Sequence, residues 1–451
     1  MGSISVPRWV LGLLVVAHVI VFAWAVRTGN WSFPDSGRYI QAAKNLNEHG
    51  QLYARLWPRE VPAGQKIQEF TIRTLGYPVV VLGLGATVGR PVLLLLVQNI
   101  LSLLTIGGML QWWARWARPK GKQWGWAVVC VLTFPAQLIY ANAVMSEIPL
   151  QAVVLMMLVA GLMYIRTRKA AYFAVVALAG ILGLLLKPVF YPFAGIIAVA
   201  GIAFGWRYRQ PILVVVGLLP PLVVIGYMQW NQERTGYFHF SSIAEINMLH
   251  YNAAGVVRQL NGPQAEEAWV AGVLHDAQLQ PDFATRQRLI QQRATAMVLA
   301  HPLLYAKQHV LGMLALFLDP GRFDISEFLG LPPLTGGGFL AQARAGGLWT
   351  TMLRLPLGLM GGLGLLFLAN VARVILAARG FWRLRHSQQW LRYGRWLVLV
   401  LLCYVAVLTG PLGAARFLVP VWPLLLVLAL VGIKGGATEE QLPTQAADAS
   451  A

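Results

Sequence analysis

Residues 9–27, WVLGLLVVAHVIVFAWAVR, form an apolar run that decides the fold class. At about 1.5 Å per helical residue, roughly 20 residues cross the ~30 Å hydrocarbon core of a bilayer. The apolar residues do not alternate with polar ones, which favours a helix over a barrel strand. Ala23 and Ala25 make a weak cleavage match, but the run is long for a signal-peptide core. We therefore interpret it as an uncleaved signal anchor.

The composition of the whole chain agrees with a membrane protein. Of its 451 residues, 57% are hydrophobic and only 12% are charged, against about 25% charged in soluble domains. The sequence predicts an all-α polytopic membrane protein with about ten transmembrane helices. Further spans are expected at 91–113, 124–141, 148–165, 171–187, 189–205, 211–230, 348–372, 395–411 and 415–434.

The basic residues fix a predicted orientation. The net charge of +19 comes from short Arg and Lys clusters between apolar runs, which is the positive-inside pattern and not a nucleic-acid-binding surface. Placing all of these clusters in the cytoplasm puts both termini there and leaves 28–90 and 231–347 outside. It also requires the apolar segment 302–318 to be interfacial or re-entrant. The clusters lie near residues 115–122, 166–169, 207–209 and 379–395.

The same reasoning divides the chain into regions. Residues 1–230 form a transmembrane module that includes the first outer loop, 28–90, and residues 231–347 form an outer region with interfacial helices. Residues 348–434 form the last spans. We expect the Gly/Pro-rich loop 329–339 to be mobile and the tail 435–451 to be disordered and cytoplasmic. In the first outer loop, Tyr39 shares an apolar helical face with Ala42, Ala43 and Leu46, which predicts a short amphipathic helix on the outer membrane surface.

Ionisable residues at the outer ends of the spans are the candidate functional residues. Asp35 follows the first span, Glu147 and Arg416 begin two others, and Lys187 ends a fourth. An Arg on the outer side opposes the positive-inside rule, so a negative group should hold Arg416 there, and a phosphate is one candidate. Arg73 and Lys187 would add to the same anion site.

Structural alternatives exist for each of these residues. Asp35 suits the N-cap of the following helix, and Glu147 suits a helix N-terminus. Lys187 and Arg416 would then only reach the lipid headgroups. His239 and His250 flank FSSIAEINMLHYN and are candidates for a substrate groove, although surface histidines without a functional role are the alternative.

In order along the chain, several motifs resemble the GT-C superfamily of glycosyltransferases that use polyprenyl-phosphate sugars, such as protein O-mannosyltransferases and the aminoarabinose transferases of lipid A. The resemblance implies a GT-C-like fold and a site facing the periplasm or cell exterior from the bacterial inner membrane. It covers most of the chain. The motifs are PDSGRYIQAAKNL (34–46), RTLGYPVVVLGL (73–84), MSEIPLQAVVLMML (145–158), LLLKPVFYP (184–192), TGYFHFSSIAEINML (235–249), HPLLYAKQH (301–309) and GAARFLVPVWPLLL (413–426).

The resemblance also implies roles for the candidate residues. Asp35 would be the general base for an acceptor hydroxyl, with inversion at the anomeric carbon, and Tyr39 would pack beside it. Glu147 would position the acceptor or help to bind a divalent cation. The donor phosphate would be bound by Lys187, Arg416 and Arg73.

Two points depart from the family or stay open. Many relatives carry two adjacent acids where this chain has Asp35 and Ser36, which favours a metal-independent reaction over one that uses Mg²⁺ or Mn²⁺ at Asp35 and Glu147. The small outer region favours a modest acceptor, such as a lipid-linked glycan or a lipid A-like molecule. A secondary transporter or flippase of an anionic substrate is the alternative function, and a non-catalytic scaffold is a third.

Overall fold

The computed structural model describes residues 5–58, 64–331 and 357–434. Its regular elements in these ranges are all helical. The α-helices are α1 Arg8–Thr28, α2 Ser36–His49, α3 Gly76–Gly83, α4 Val92–Ala117, α5 Lys122–Leu132, α6 Pro135–Ala141, α7 Glu147–Thr167, α8 Ala170–Leu186, α9 Phe193–Arg207, α10 Pro211–Thr235, α11 Ile243–Asn247, α12 Ala254–Gln278, α13 Phe283–Ala300, α14 Pro302–Leu318, α15 Arg322–Leu329, α16 Leu357–Arg383, α17 Gln389–Thr409, α18 Ala415–Leu418 and α19 Trp422–Ile433.

The chain is a polytopic membrane protein, and its predicted spans correspond to helices of the structure. Eight helical segments of the described residues are long and apolar enough to cross a bilayer. The predicted span at 171–187 is α8, which has 17 residues. The predicted span at 124–141 is not one straight helix, because α5 and α6 meet at a bend of 56°. The last part of the predicted loop 329–339, the tail 435–451 and residues 348–356 of the predicted span 348–372 lie outside the described residues.

The helix assigned to 348–372 extends further than the sequence indicated. It runs to Arg383, so Arg373 and Arg379 lie inside the helix and not in a loop after it. Arg373 is buried, and its guanidinium donates to the Cys130 carbonyl and the Thr133 hydroxyl at the bend between α5 and α6. The hydropathy pattern ended the span early because this arginine interrupts it.

The segment 415–433, made of α18, a turn and α19, is at the centre of the bundle. It is 78% buried, whereas only 17% of the residues in the α16 span are buried. Small residues let α19 and α16 approach closely: a Cβ at Gly432 of α19 would lie 1.9 Å from the Leu376 carbonyl oxygen of α16. Such contacts between small residues are typical of helix packing in lipid. The segment that begins with Arg416 is therefore held firmly from all sides.

The basic clusters gather at one end of the bundle, and the candidate site residues lie at the other. Glu147 begins α7 and Arg166 lies in its last turn, so the two are about 30 Å apart along the helix. The contacts that join the basic clusters are Lys434 Nζ to the Arg118 carbonyl (2.9 Å), Arg383 Nη1 to the Gly432 carbonyl (2.8 Å), Arg166 over Trp390 and Arg168 over Tyr208.

Helix α14, the 302–318 segment, packs against the turn that precedes Arg416. A Cβ at Gly312 would lie 2.1 Å from the Gly410 carbonyl oxygen, so the two backbones are in direct contact. After α14, the chain continues to α15, where the Phe328 carbonyl accepts hydrogen bonds from Trp24 and Asn30 at the end of α1. Helix α14 therefore supports the turn that leads to Arg416.

Candidate functional site

Arg416 joins the two candidate carboxylates. Its Nη2 donates to Asp35 Oδ2 and its Nε donates to Glu147 Oε1, each at 2.7 Å. Glu147 is fully buried, and 19% of the Arg416 side chain and 21% of the Asp35 side chain are exposed. Residues 35, 147 and 416, which are far apart in the sequence, thus form one ion-pair network.

Two further cations complete this network, which we call the charged cluster: Asp35, Arg73, Glu147, Lys187 and Arg416. Lys187 Nζ donates to the same Glu147 Oε1 at 2.7 Å, and Arg73 Nη2 donates to Asp35 Oδ1. Three cations face two carboxylates, so the cluster has a formal charge of +1. The structure brings together all five candidate charges.

Aromatic rings pack against the cations of the charged cluster. The Arg73 guanidinium lies 4.9 Å from the centre of the Tyr39 ring, and Lys187 Nζ lies 5.2 Å from the centre of the Phe417 ring. Tyr39 is buried and packs edge-on against Tyr77. The rings fix the positions of the cations through cation–π contacts and exclude water beside them.

The capping role expected for Asp35 is not observed. Asp35 is the N-cap residue of α2, but its side chain makes no cap hydrogen bond and turns to the two arginines instead. Ser36 ties the segment down: its Oγ donates to the Val144 carbonyl at 3.0 Å and accepts from the Phe33 N–H at 2.8 Å. The side chain at the position of the missing second acid is therefore fully buried and bonded to backbone groups.

Buried amides of α4 and α7 hold the irregular segment before Glu147. Gln98 donates to the Ala143 carbonyl at 2.8 Å, and Asn99 donates to Asn142 Oδ1 at 2.7 Å. Gln151 donates to the Val419 carbonyl at 2.6 Å, just after Arg416. Sequence reasoning missed these residues, because polar side chains within apolar runs carry no sign of where they meet.

Two aspartates that follow α14, Asp319 and Asp324, support the region around Arg416. The Asp319 carboxylate accepts from the backbone N–H of Ala415 at 3.3 Å, and the Tyr140 hydroxyl donates to Asp324 Oδ1 at 2.6 Å. Burial raises the pKa of Asp324 to about 7, although the Tyr140 hydrogen bond opposes this shift. Neither aspartate was predicted, since both follow a segment that was assigned to the interface.

The charge state of Asp35 is set by its neighbours. Burial alone would raise its pKa, but the guanidinium groups of Arg73 and Arg416 outweigh burial and hold the pKa well below its usual range. Asp35 is therefore ionised at neutral pH and is a poor proton acceptor while both arginines bind it.

The charged cluster lines one end of a cavity of about 220 Å³. Asp35, Tyr39, Arg73, Lys187 and Arg416 line one part of it, and Asn247, Tyr251, Asn252 and Thr409 add further polar groups. Most of its remaining wall is apolar and comes from α7, α17 and the segment after α8. The apolar residues include Leu150, Val189, Phe190, Val405, Leu408, Leu412 and Phe417.

Of the residues predicted to line a substrate groove, Tyr39 lines this cavity and the two histidines do not. His239 is buried and bonded to the Thr71 hydroxyl and the Tyr237 carbonyl, so it joins the first outer loop to the segment after α10. His250 lies on the exposed side of its helical turn. Single histidines in a sequence gave no sign of which side they would face.

A second, larger groove of about 760 Å³ lies on the other side of α2. Pro34 and Gly37, which flank Asp35, line it together with Arg38 and Arg55. Both arginines pair with the buried carboxylate of Glu69, at 3.2 and 2.9 Å. Helix α2 thus separates a small, enclosed cavity from an open, polar groove.

The carboxylates of the charged cluster are paired with its cations. Both oxygens of Asp35 and Oε1 of Glu147 accept hydrogen bonds from Arg73, Arg416 and Lys187, so a divalent cation at these oxygens would compete with three positive charges. Within the described ranges, no group of three or more His, Cys, Asp and Glu side chains is placed to hold a metal ion.

Comparisons with known proteins give matches among solved structures. No family model matches the sequence, and no curated protein matches it. The arabinosyltransferase EmbB from Mycobacterium smegmatis matches over 95% of this chain at 11% identity and a TM-score of 0.38, and this chain spans 41% of EmbB. ArnT from Cupriavidus metallidurans, bound to undecaprenyl phosphate, matches over 93% of this chain and 77% of ArnT at 16% identity and a TM-score of 0.37.

The apo form of the same ArnT matches over 94% of this chain and 77% of ArnT, at 13% identity and a TM-score of 0.33. At these values the likeness to EmbB and ArnT identifies no site residue of this chain.

Proposed function

We propose that this protein is an inverting glycosyltransferase that moves a sugar from a polyprenyl-phosphate donor to an acceptor hydroxyl. The observation that carries the proposal is that Asp35, Arg73, Lys187 and Arg416 of the charged cluster share one cavity with a largely apolar stretch of wall. The cluster's formal charge of +1 and its three cations suit a phosphate, and the apolar wall suits the first isoprenoid units. Leu408 lines the cavity and is also 42% exposed, so the wall continues toward the lipid-facing surface.

In the proposed mechanism, donor binding activates Asp35. A phosphate that takes hydrogen bonds from Arg73 and Arg416 competes with the carboxylate for them, which raises the pKa of Asp35 toward the range of a useful base. Asp35 then takes the proton of the acceptor hydroxyl as its oxygen attacks the anomeric carbon. The bond between that carbon and the phosphate oxygen breaks with inversion, and polyprenyl phosphate leaves with the electron pair.

The remaining residues have supporting roles in this proposal. Arg416, Arg73 and Lys187 stabilise the charge that develops on the leaving phosphate. Glu147 accepts hydrogen bonds from both Arg416 and Lys187 and so holds the two cations in place. The acceptor, a lipid-linked glycan or lipid A-like molecule, enters from the polar groove beside Pro34 and Gly37. The reaction needs no metal, and by the positive-inside rule it takes place on the outer face of the bacterial inner membrane, with both termini in the cytoplasm.

The test compares wild type with Asp35→Asn in detergent or nanodiscs. Both are given polyprenyl-phosphate hexoses and pentoses with candidate acceptors, and the release of polyprenyl phosphate is followed. Loss of the base should slow release by about 10²–10⁴-fold. A chelator should leave the wild-type rate unchanged. Equal release by the two proteins would show that Asp35 is not the base, and donor that binds but stays intact would favour a transporter.

A further inference from the structure

A turn of π-helix forms part of the wall of the cavity that contains the charged cluster, which we call the donor cavity. It covers Met248–Ala253 and connects α11 to α12. Such turns carry one residue more per turn than an α-helix and are frequent at functional sites. In an α-helix, residues five apart are separated by about 140° around the axis, so Asn247 and Asn252 would face different sides. Here Asn247, Tyr251 and Asn252 all line the cavity that contains the charged cluster.

Asn252 acts as a brace for the π-turn. Its Nδ2 donates to the Asn247 carbonyl at 3.0 Å, and its Oδ1 accepts from the Tyr305 hydroxyl at 2.8 Å. Gln308, one turn further along α14, donates to the Tyr251 and Asn252 carbonyls at 2.8 and 3.1 Å. The π-turn is therefore fixed from both its own segment and α14.

The other two side chains have free hydrogen-bonding groups. Among the described residues, neither the side-chain amide of Asn247 nor the hydroxyl of Tyr251 has a hydrogen-bond partner. Tyr251 is also 47% exposed, although it borders a cavity. A rigid support thus presents an amide and a phenol that are uncharged and unpaired.

Their chemistry suits a sugar. An amide offers two donors and an acceptor, and a phenol offers one of each, which matches hydroxyl groups that both donate and accept. They are neutral, whereas the phosphate-binding groups of the same cavity are cations. A sugar joined by one bond to a phosphate at the charged cluster lies next to that cluster, and Asn247 and Tyr251 line the cavity there.

We propose that the π-turn is the binding subsite for the transferred sugar, with Asn247 and Tyr251 binding its hydroxyl groups. The proposal rests on the glycosyltransferase function and deepens it, since it separates the groups that recognise the sugar from those that recognise the phosphate. The recognised substrate class is a neutral, hydroxyl-rich pentose or hexose.

The test measures binding of two kinds of lipid to the full-length protein. One is bare polyprenyl phosphate, and the other is the same lipid carrying glucose, mannose or arabinose. For wild type, at least one sugar should tighten binding relative to the bare lipid. Asn247→Ala and Tyr251→Phe should each weaken binding of the sugar-carrying lipid about tenfold. Their affinity for bare polyprenyl phosphate should stay within twofold of wild type. Asn261→Ala, an exposed asparagine on α12, is the matched control and should change neither affinity.

The outcomes separate the two proposals. In one outcome, bare polyprenyl phosphate binds wild type and Arg416→Gln weakens this binding, but the sugar adds no affinity or adds as much in Asn247→Ala and Tyr251→Phe as in wild type. The proposed sugar subsite is then wrong, and phosphate binding at the charged cluster is still supported. If neither lipid binds wild type, the proposed function fails and the subsite fails with it. Unchanged thermal unfolding of the variants shows that any loss reflects binding and not folding.

Discussion

Two arginines are held away from bulk water in this bundle, and they are held in different ways. Arg416 contacts two carboxylates, and one side of its surroundings is a cavity. Arg373 donates to the Cys130 carbonyl, the Thr133 hydroxyl and the Asn370 amide oxygen, and it is 1% exposed. None of the groups to which Arg373 donates here carries a charge.

The difference shows that a charged residue in a membrane bundle is not by itself a sign of a functional site. Arg373 satisfies a backbone carbonyl at the bend between α5 and α6, where no water is available to do so. In the charged cluster, by contrast, Arg73 Nε and Glu147 Oε2 are buried without a partner among the described residues. Arg373 is satisfied by neutral groups and has a structural role, whereas Arg73, which lines the cavity, keeps its Nε free to donate.

The largest effect is expected from the removal of Arg416. We expect Arg416→Gln to lower the rate of polyprenyl phosphate release per folded protein by about 10²–10³-fold, because a preorganised donor to the leaving group is lost. Initial rates with saturating donor measure the effect. Arg383→Gln is the matched control, since Arg383 donates to carbonyls at the opposite end of the same span and should keep a wild-type rate. Equal rates for the three proteins would show that the charged cluster does not act on the donor.

The fold class and the pairing of charges could be predicted from the sequence for a simple reason. Continuous apolar runs have few structural solutions, and ionisable residues at one membrane face are costly unless they meet. Asp35, Glu147, Lys187 and Arg416 therefore had to be considered together, and the structure places them in one network. Arg73 joined the list only through its sign and its place in the first outer loop, and it pairs with Asp35 as an anion-site residue would.

Other features depend on three-dimensional contacts that no local pattern records. The bend between α5 and α6 lies at Pro135, but the donor that meets the Cys130 carbonyl and the Thr133 hydroxyl there is Arg373, which lies 240 residues further along the chain from Thr133. Helix α14 was predicted to be interfacial or re-entrant, and nothing in its sequence indicates that Gly312 packs directly on the turn before Arg416. The π-turn at Met248–Ala253 has no sequence signal of its own, and no local pattern pairs His239 with Thr71, which is distant in the sequence.

Removal of Arg373 should lower the stability of the fold and leave the reaction rate nearly unchanged. Arg373→Leu leaves the Cys130 carbonyl and its neighbours without a donor, so we expect the free energy of unfolding to fall by about 1–3 kcal/mol. The rate of release per folded protein should stay within twofold of wild type, because the guanidinium does not line the donor cavity. Thermal unfolding in detergent and initial rates measure the two effects. A variant with normal stability and a slow rate would reverse the roles assigned here.

The smallest expected effect is a pH dependence that only the charged cluster has. Arg73 and Arg416 hold the folded-state pKa of Asp35 below its unfolded value of about 3.9, so these ion pairs stabilise the fold above pH 4 and are lost as the pH falls below it. We therefore expect the stability difference between wild type and Asp35→Asn to be constant from pH 5 to 8 and to shrink below pH 4. The Arg373→Leu difference should not follow this pattern, because no carboxylate of the described residues pairs with that arginine. A difference that changes between pH 5 and 8 would place the pKa of Asp35 in that range, and the carboxylate would then be a competent base before any phosphate arrives.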